Sequence, residues 1–382
     1  MELPSHKSSL TRGAFWASAA FYGLIALEFF YMFSPFAAYL YGVYGPGLNL
    51  LAKSETTSWL IAFFMPHIAR ETQSFLITWH EVIGMIFFTG GLLAFVAGAG
   101  QIYWSKLKQK GAVFGGIYRY IRHPQYLALM VSGFGMVLIW PRYLVLFGFI
   151  TVCFAYYFLA RLEEKICREK FPGYDSYINE TGMFLPRSFE RIFYMAPRPE
   201  RTFPKIICAF ALYMLLLILS FTGARAIHAY TVNTLYTYSN SNEIFLSVGQ
   251  FGEHEFYELN QIARSDPDVT AHLARYSEPG YRFINYVMPA DLLISEVPMY
   301  IPEGRVPSHQ SPGRQDQTRY KIIYTLADFG PGAAASDLEI LRRAINKTPV
   351  LEVWIDRTSQ KVEQILDPPA RDFYDGMPVP VI

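Results

Sequence analysis

Arg122 and His123 stand directly before Pro124 at the head of an apolar run, and a Glu163-Glu164 pair closes the run after it. A guanidinium and the exposed N–H groups of a starting helix can together receive a carboxylate or another anion. A carboxylate whose pKa is raised by burial can take a proton from an amine or thiol. Ionisable groups in or beside apolar spans are costly enough to be functional suspects by default. The two runs, Tyr126–Trp140 and Tyr143–Leu162, are divided only by Pro141-Arg142. A chain that crosses a membrane there must turn straight back, returning the Glu pair to the face that holds Arg122-His123.

The elements that would position these residues follow from hydropathy. Segments 14–33, 75–100, 143–162 and 204–222 are apolar enough to cross about 30 Å of hydrocarbon at 1.5 Å per residue. Tyr126–Trp140 is short and would extend backward through Pro124, since proline is comfortable in the first turn of a helix. The run beginning at residue 14 continues through Tyr44, which suits a retained anchor better than a cleaved signal peptide. Trp59–Met65 ends at Pro66 and is too short to span, so it is expected to lie in the interface or to pack on the bundle. Glu28 and His80 fall at similar depths near the outer ends of the first two spans and are expected to pair. The fold class read here is an all-α polytopic membrane bundle of about five transmembrane helices, including a tight helical hairpin, over residues 1–224, followed by a soluble α+β domain over 225–382.

In that second region Glu253–Arg264 and Val269–Tyr276 read as helical, and Ser336-Asp337-Leu338-Glu339 reads as a capping box opening a helix over Leu338–Asn346. Tyr320–Ala327, Val350–Asp356 and Lys361–Leu366 read as strands, the last two joined as a hairpin by Arg357–Gln360. Gly304–Gln317 is rich in Pro, Ser, Gly and Gln and reads as a long loop.

Charge divides the chain in the same place. Residues up to 224 hold 19 Lys and Arg against 12 Asp and Glu, and the rest hold 14 against 20, so the net +1 hides two opposed halves. The basic residues cluster in the 104–125 and 161–205 connections, which places both on the cytoplasmic side. An odd number of spans then leaves the acidic domain outside. Neither half offers a basic face for nucleic acid. The three cysteines, Cys153, Cys167 and Cys208, make no disulfide framework or zinc spacing, and His254-Glu255 lacks the second histidine of a zinc-protease helix, so no metal site is expected. The first aspartate is Asp175, which excludes an Asp-dependent magnesium or dinucleotide site from the membrane region.

Gly116-x-Tyr118-x-x-x-Arg122-His123-Pro124-x-Tyr126, a tight apolar hairpin, Glu163-Glu164, Phe171 with Gly173-Tyr174 and Tyr177, and Leu185-Pro186 together resemble the isoprenylcysteine carboxyl methyltransferase and phospholipid methyltransferase superfamily of integral membrane methyltransferases. The resemblance runs from about Lys110 to Arg187. It implies S-adenosyl-L-methionine as cofactor, held on the cytoplasmic side by Gly116, Tyr118, Arg122, His123, Pro124 and Tyr126. One of Glu163 and Glu164 would bind the adenosyl or amino-acid moiety and the other would face the methyl acceptor, with Glu164 in the cofactor set and Arg161 as a further catalytic candidate. Two positions depart from the pattern. Ala128 stands where the family usually has Gly, and the substrate-associated Arg of the prenylcysteine branch falls at Leu159, with Arg161 its nearest substitute. The acceptor implied is lipophilic or small, presenting an amine, carboxylate, hydroxyl or thiol. Membrane lipids are expected partners, and 225–382 could bind a protein or another copy.

Two other classes compete. An NADPH-dependent sterol or steroid reductase has a similar hairpin, but its pattern fails at Gln125, Ala128 and Leu129. A non-catalytic membrane sensor or assembly factor would account for the extra domain, yet not for an intact Arg-His-Pro and Glu-Glu.

Overall fold

Backbone groups in hydrocarbon must pair within their own segment, so apolar runs of sufficient length become helices. The computed structural model describes residues 56–108, 113–194, 202–240, 242–278, 280–307, 318–329, 339–344, 346–369 and 380–382, together with 32–40 and scattered positions between 16 and 54. Its first long helices are α1 (His80–Leu107), α2 (Pro124–Ile139) and α3 (Tyr143–Lys170). Two short ones, α4 (Tyr174–Glu180) and α5 (Arg187–Tyr194), precede the long α6 (Thr202–Val232). Helices α1, α3 and α6 are long and apolar enough to cross a membrane. Helix α2 begins at Pro124, as expected, and its 16 residues reach about 24 Å. The expected first span, with Glu28, lies largely outside the described residues. His80 has its Nδ1 against the Ile77 carbonyl.

The chain divides into two compact units. One comprises Met1–Tyr44, Gly84–Met136 and Phe147–Leu216. Within it, α1 and α2 touch backbone to backbone at Gly91, where an added Cβ would lie 2.5 Å from the Ser132 nitrogen. Ser132 Oγ donates to the Phe88 carbonyl at 3.0 Å along the same seam. Gly91 thus serves helix contact, while Gly90 faces open space. Tyr126 of α2 stacks on Tyr156 of α3 with ring centroids 4.8 Å apart, and Thr151 of α3 meets the Tyr213 hydroxyl of α6 at 2.9 Å.

The other unit comprises Gly45–Ile83, Val137–Leu146 and Leu217–Ile382. Its centre is a six-stranded sheet in sequence order: β1 (Thr237–Asn240), β2 (Glu243–Ser247), β3 (Phe283–Pro289), β4 (Arg319–Asp328), β5 (Asn346–Asp356) and β6 (Lys361–Leu366). Strands β2 and β3 are parallel, so their connection must cross over, and α7 (Glu253–Ser265) with α8 (Pro267–Leu273) provides that crossover. All other neighbours are antiparallel. Side chains alternate between two cores: Ile244, Leu246, Ile284 and Tyr286 enter one. Phe245, Val287, Ile322 and Tyr324 enter the other, beneath Phe256 and Leu259 of α7.

The expected α+β content is present, with differences. The 320–327 and 361–366 strands and the 357–360 hairpin form as read. The helix expected over Leu338–Asn346 contracts to α9 (Ile340–Arg343), its capping box falling mainly outside the described residues. Asn346 instead opens β5 opposite Asp328, because extending the ladder with β4 satisfies those backbone groups in the sheet. Trp59–Met65 does not form a longer helix. Only Ser58–Ile61 makes a 3₁₀ turn, after which Phe64 N donates to Pro141 O at 2.8 Å. Of the loop read over Gly304–Gln317, residues 308–317 lie outside the described residues.

Candidate active site

The candidate residues of the membrane region converge within the first unit. Gly116 opens a 3₁₀ turn, Gly116–Arg119, with φ +64°, a conformation that L side chains rarely adopt, and a Cβ there would press to 2.7 Å from the Gln101 amide. In that turn the buried Tyr118 hydroxyl lies 3.1 Å from Gly98 O and 3.2 Å from Gln125 Oε1, tying the turn to α1 and α2. The chain then runs extended into Pro124. Arg122 N donates to Gly182 O at 2.9 Å, His123 N to Met183 O at 3.0 Å, and Gly182 N to Tyr120 O at 3.2 Å, a short parallel pairing of 120–123 with 182–183. The two N–H groups ahead of α2 are therefore already bonded, and Pro124 has none to add.

Arg122 is buried and pairs with a buried carboxylate: its Nε donates to Glu164 Oε1 at 2.6 Å. Its Nη1 donates to Ile178 O at 3.2 Å, to Thr181 Oγ1 at 3.3 Å and to Thr181 O. Glu163, one position earlier on α3, points elsewhere. It accepts from the Tyr126 hydroxyl, and its side chain is 31% exposed against 3% for Glu164. His123 lies between the two carboxylates, Nδ1 at 3.4 Å from Glu163 and Nε2 at 3.7 Å from Glu164. Neither ring nitrogen makes a hydrogen bond. The imidazole stacks on Tyr126 at 5.6 Å and 12°. Arg161 reaches Glu164 Oε2 at 3.7 Å from a half-exposed position.

Burial opposes a charge on His123, but Glu163 and then Glu164 outweigh it and hold the imidazole above its ordinary range. A raised folded-state value means that this contribution to stability is complete below about pH 6.5, the unfolded value, and is lost as pH climbs through the folded one. The melting temperature of the wild type should fall across that alkaline window, and His123→Gln should flatten the decline. A parallel decline in the variant would remove His123 as its source.

Glu190 was not among the residues singled out by sequence. Its carboxylate accepts from Met183 N at 2.8 Å, Phe184 N at 2.7 Å and Leu185 N at 3.0 Å, fixing the loop that pairs with Arg122-His123. A Glu early in a helix that follows Leu185-Pro186 was the available signal, because negative charge is favoured there. Tyr177 donates to Tyr118 O at 2.5 Å, so the Gly-Tyr…Tyr part of the motif also reaches this site. A cavity of about 310 Å³ opens beside it, lined by Phe114, Arg119, Gly173, Tyr177, Glu180 and Thr181 among others.

Apolar helices able to cross a membrane, with a polar cluster built around their ends, define the class as an integral membrane protein with a candidate catalytic centre. Residues 82–173 match the phospholipid methyltransferase family, so for this segment the resemblance to the integral membrane methyltransferase superfamily is shown. No curated protein and no solved structure gives a significant match to the chain.

Proposed function

We propose that residues 1–224 form an S-adenosyl-L-methionine-dependent methyltransferase domain that acts on a lipophilic or small amine, carboxylate, hydroxyl or thiol acceptor. The observation that carries this reading is the convergence of His123, Tyr126, Glu163 and the Arg122–Glu164 pair in a segment that matches a membrane methyltransferase family. The residues suit the cofactor. A buried imidazole held between two carboxylates, the partly exposed Glu163 and the Tyr126 ring stacked on His123 supply polar and stacking partners for an amino-acid group and an adenosine. Gly116, Tyr118, Arg122, His123, Pro124, Tyr126 and Glu164 would hold it, and when bound it supplies an activated methyl group on sulfur.

The protein's own task is alignment and exclusion of water. The Arg122–Glu164 pair and the Gly182–Met183 pairing set the height and rotation of His123. Tyr126 orients Glu163, whose accessible carboxylate is the group placed to take a proton from an amine or thiol acceptor. Arg161, exposed beside Glu164, is placed to meet an acidic acceptor. The Lys and Arg excess of the 104–125 and 161–205 connections supports a cytoplasmic site, with 225–382 an extracytoplasmic domain. Incubating the purified protein in lipid nanodiscs with methyl-labelled S-adenosylmethionine and a membrane lipid extract should transfer label to an extractable acceptor. Label retention solely in the donor, with NADPH oxidation in the same extract, would favour a reductase.

A further inference from the structure

We propose that a second site, a cavity of about 830 Å³ within the second unit, binds the phosphodiester head and upper acyl chain of a membrane glycerophospholipid. One side of the cavity is aromatic, lined by Trp59, Tyr143 and Phe221, and another is basic, with Arg225 and Arg342. The aromatic wall is rigid: Trp59 meets Phe221 edge to face at 5.3 Å and Tyr143 at 5.7 Å, and Tyr143 lies 5.6 Å from Phe221.

Helix α6 brings this wall to the level of lipid headgroups. No residue of its most apolar stretch is fully buried, which suits a surface that faces lipid. Its 31 residues extend about 46 Å, beyond the roughly 30 Å of hydrocarbon, so the terminal turns rise into the interface. Tryptophan and tyrosine beside a basic residue are the composition expected at that depth. Arg225 is exposed there with its guanidinium 5.8 Å from the Phe221 ring centroid.

Charge selects the head. Among the described lining residues Arg225 and Arg342 make no ion pair with a carboxylate, whereas Arg343 pairs with Glu339 at 3.3 Å. Two guanidinium groups without a carboxylate partner suit the negative phosphate of a phosphodiester. Arg342 donates one bond to Asn233 Oδ1 at 2.9 Å, which orients its fork and leaves further N–H donors for phosphate oxygens. The inference rests on this cavity and not on methyl transfer.

The test is photolabelling of the detergent-purified full chain with a phosphatidylglycerol that carries a diazirine in its acyl chain, followed by peptide mapping. Adducts are expected on peptides containing Trp59, Tyr143 or Phe221, displaced by unlabelled phosphatidylglycerol. Arg225→Glu should lower their yield about ten-fold, equivalent to about 1.4 kcal/mol, while Arg225→Lys largely retains it. Should Arg225→Glu fail to fold, Arg342→Glu provides the same reading from another element. Unchanged yield in the charge-reversed protein overturns the proposal. So does equal displacement by diacylglycerol, which would make the cavity merely apolar, or by glycerol 3-phosphate, which would make its ligand a free phosphate ester.

Discussion

Arg122→Ala is expected to lower the unfolding free energy by about 3–5 kcal/mol, the cost of leaving a buried carboxylate without its partner. Both side chains of the Arg122–Glu164 pair are almost inaccessible, at 2% and 3% exposure, so solvent cannot replace the lost guanidinium. The same substitution strips a donor from Ile178 O and Thr181 O, which would loosen the 178–183 segment that pairs with His123. Replacing both partners with apolar residues, Arg122→Met with Glu164→Leu, should recover part of the loss, since the uncompensated charge disappears while the freed carbonyls remain. Denaturant unfolding of the single and double variants checks this, and a single-variant loss below about 1 kcal/mol, the usual limit for exposed pairs, would show the pair to be solvated.

Glu163→Gln should act on the reaction more than on the fold. Its side chain is partly exposed and a carboxamide oxygen can still accept from Tyr126, so the melting temperature should fall only by the Glu163 share of the His123 ion pair, less than in Arg122→Ala. Losing the proton acceptor should lower the rate of methyl transfer about 10²- to 10⁴-fold. Single-turnover transfer at saturating acceptor is the measurement. Wild-type rates in Glu163→Gln, together with loss in a folded Arg161→Ala, would move the acceptor-facing role to Arg161.

These contrasting expectations for adjacent glutamates mark a limit of the sequence. The two-residue separation of the apolar runs brings Arg122-His123 and the Glu pair together, and the structure has all four side chains within ion-pair distance. Successive helix positions, however, point about 100° apart, and which of the two faces inward depends on the rotation of α3 against α2. That rotation is set by contacts such as Tyr126 on Tyr156, which no local pattern reveals. The pairing of 120–123 with 182–183 and its anchoring by Glu190 were hidden for the same reason.

The sheet-containing region shows the complementary failure. Strands β4 and β6 were legible from β-branched and apolar content, whereas β2 is buried at every position and β3 at nearly every one, so neither displays the alternation that identifies a half-buried strand. The capping box expected before α9 lies mainly outside the described residues, and the ladder with β4 claims Asn346 for the sheet. Trp59–Met65 likewise read as a small apolar element, while its backbone is used in pairing with Pro141 and Arg142.

The cofactor is the centre of the functional account, and titration calorimetry of S-adenosylhomocysteine into the purified full chain addresses it most directly. Saturable binding is expected, weakened at least about ten-fold by His123→Ala and little affected by Arg225→Glu, which lies in the other unit. Absence of binding at millimolar S-adenosylhomocysteine, with NADPH binding saturably to the same preparation, would contradict the methyltransferase reading.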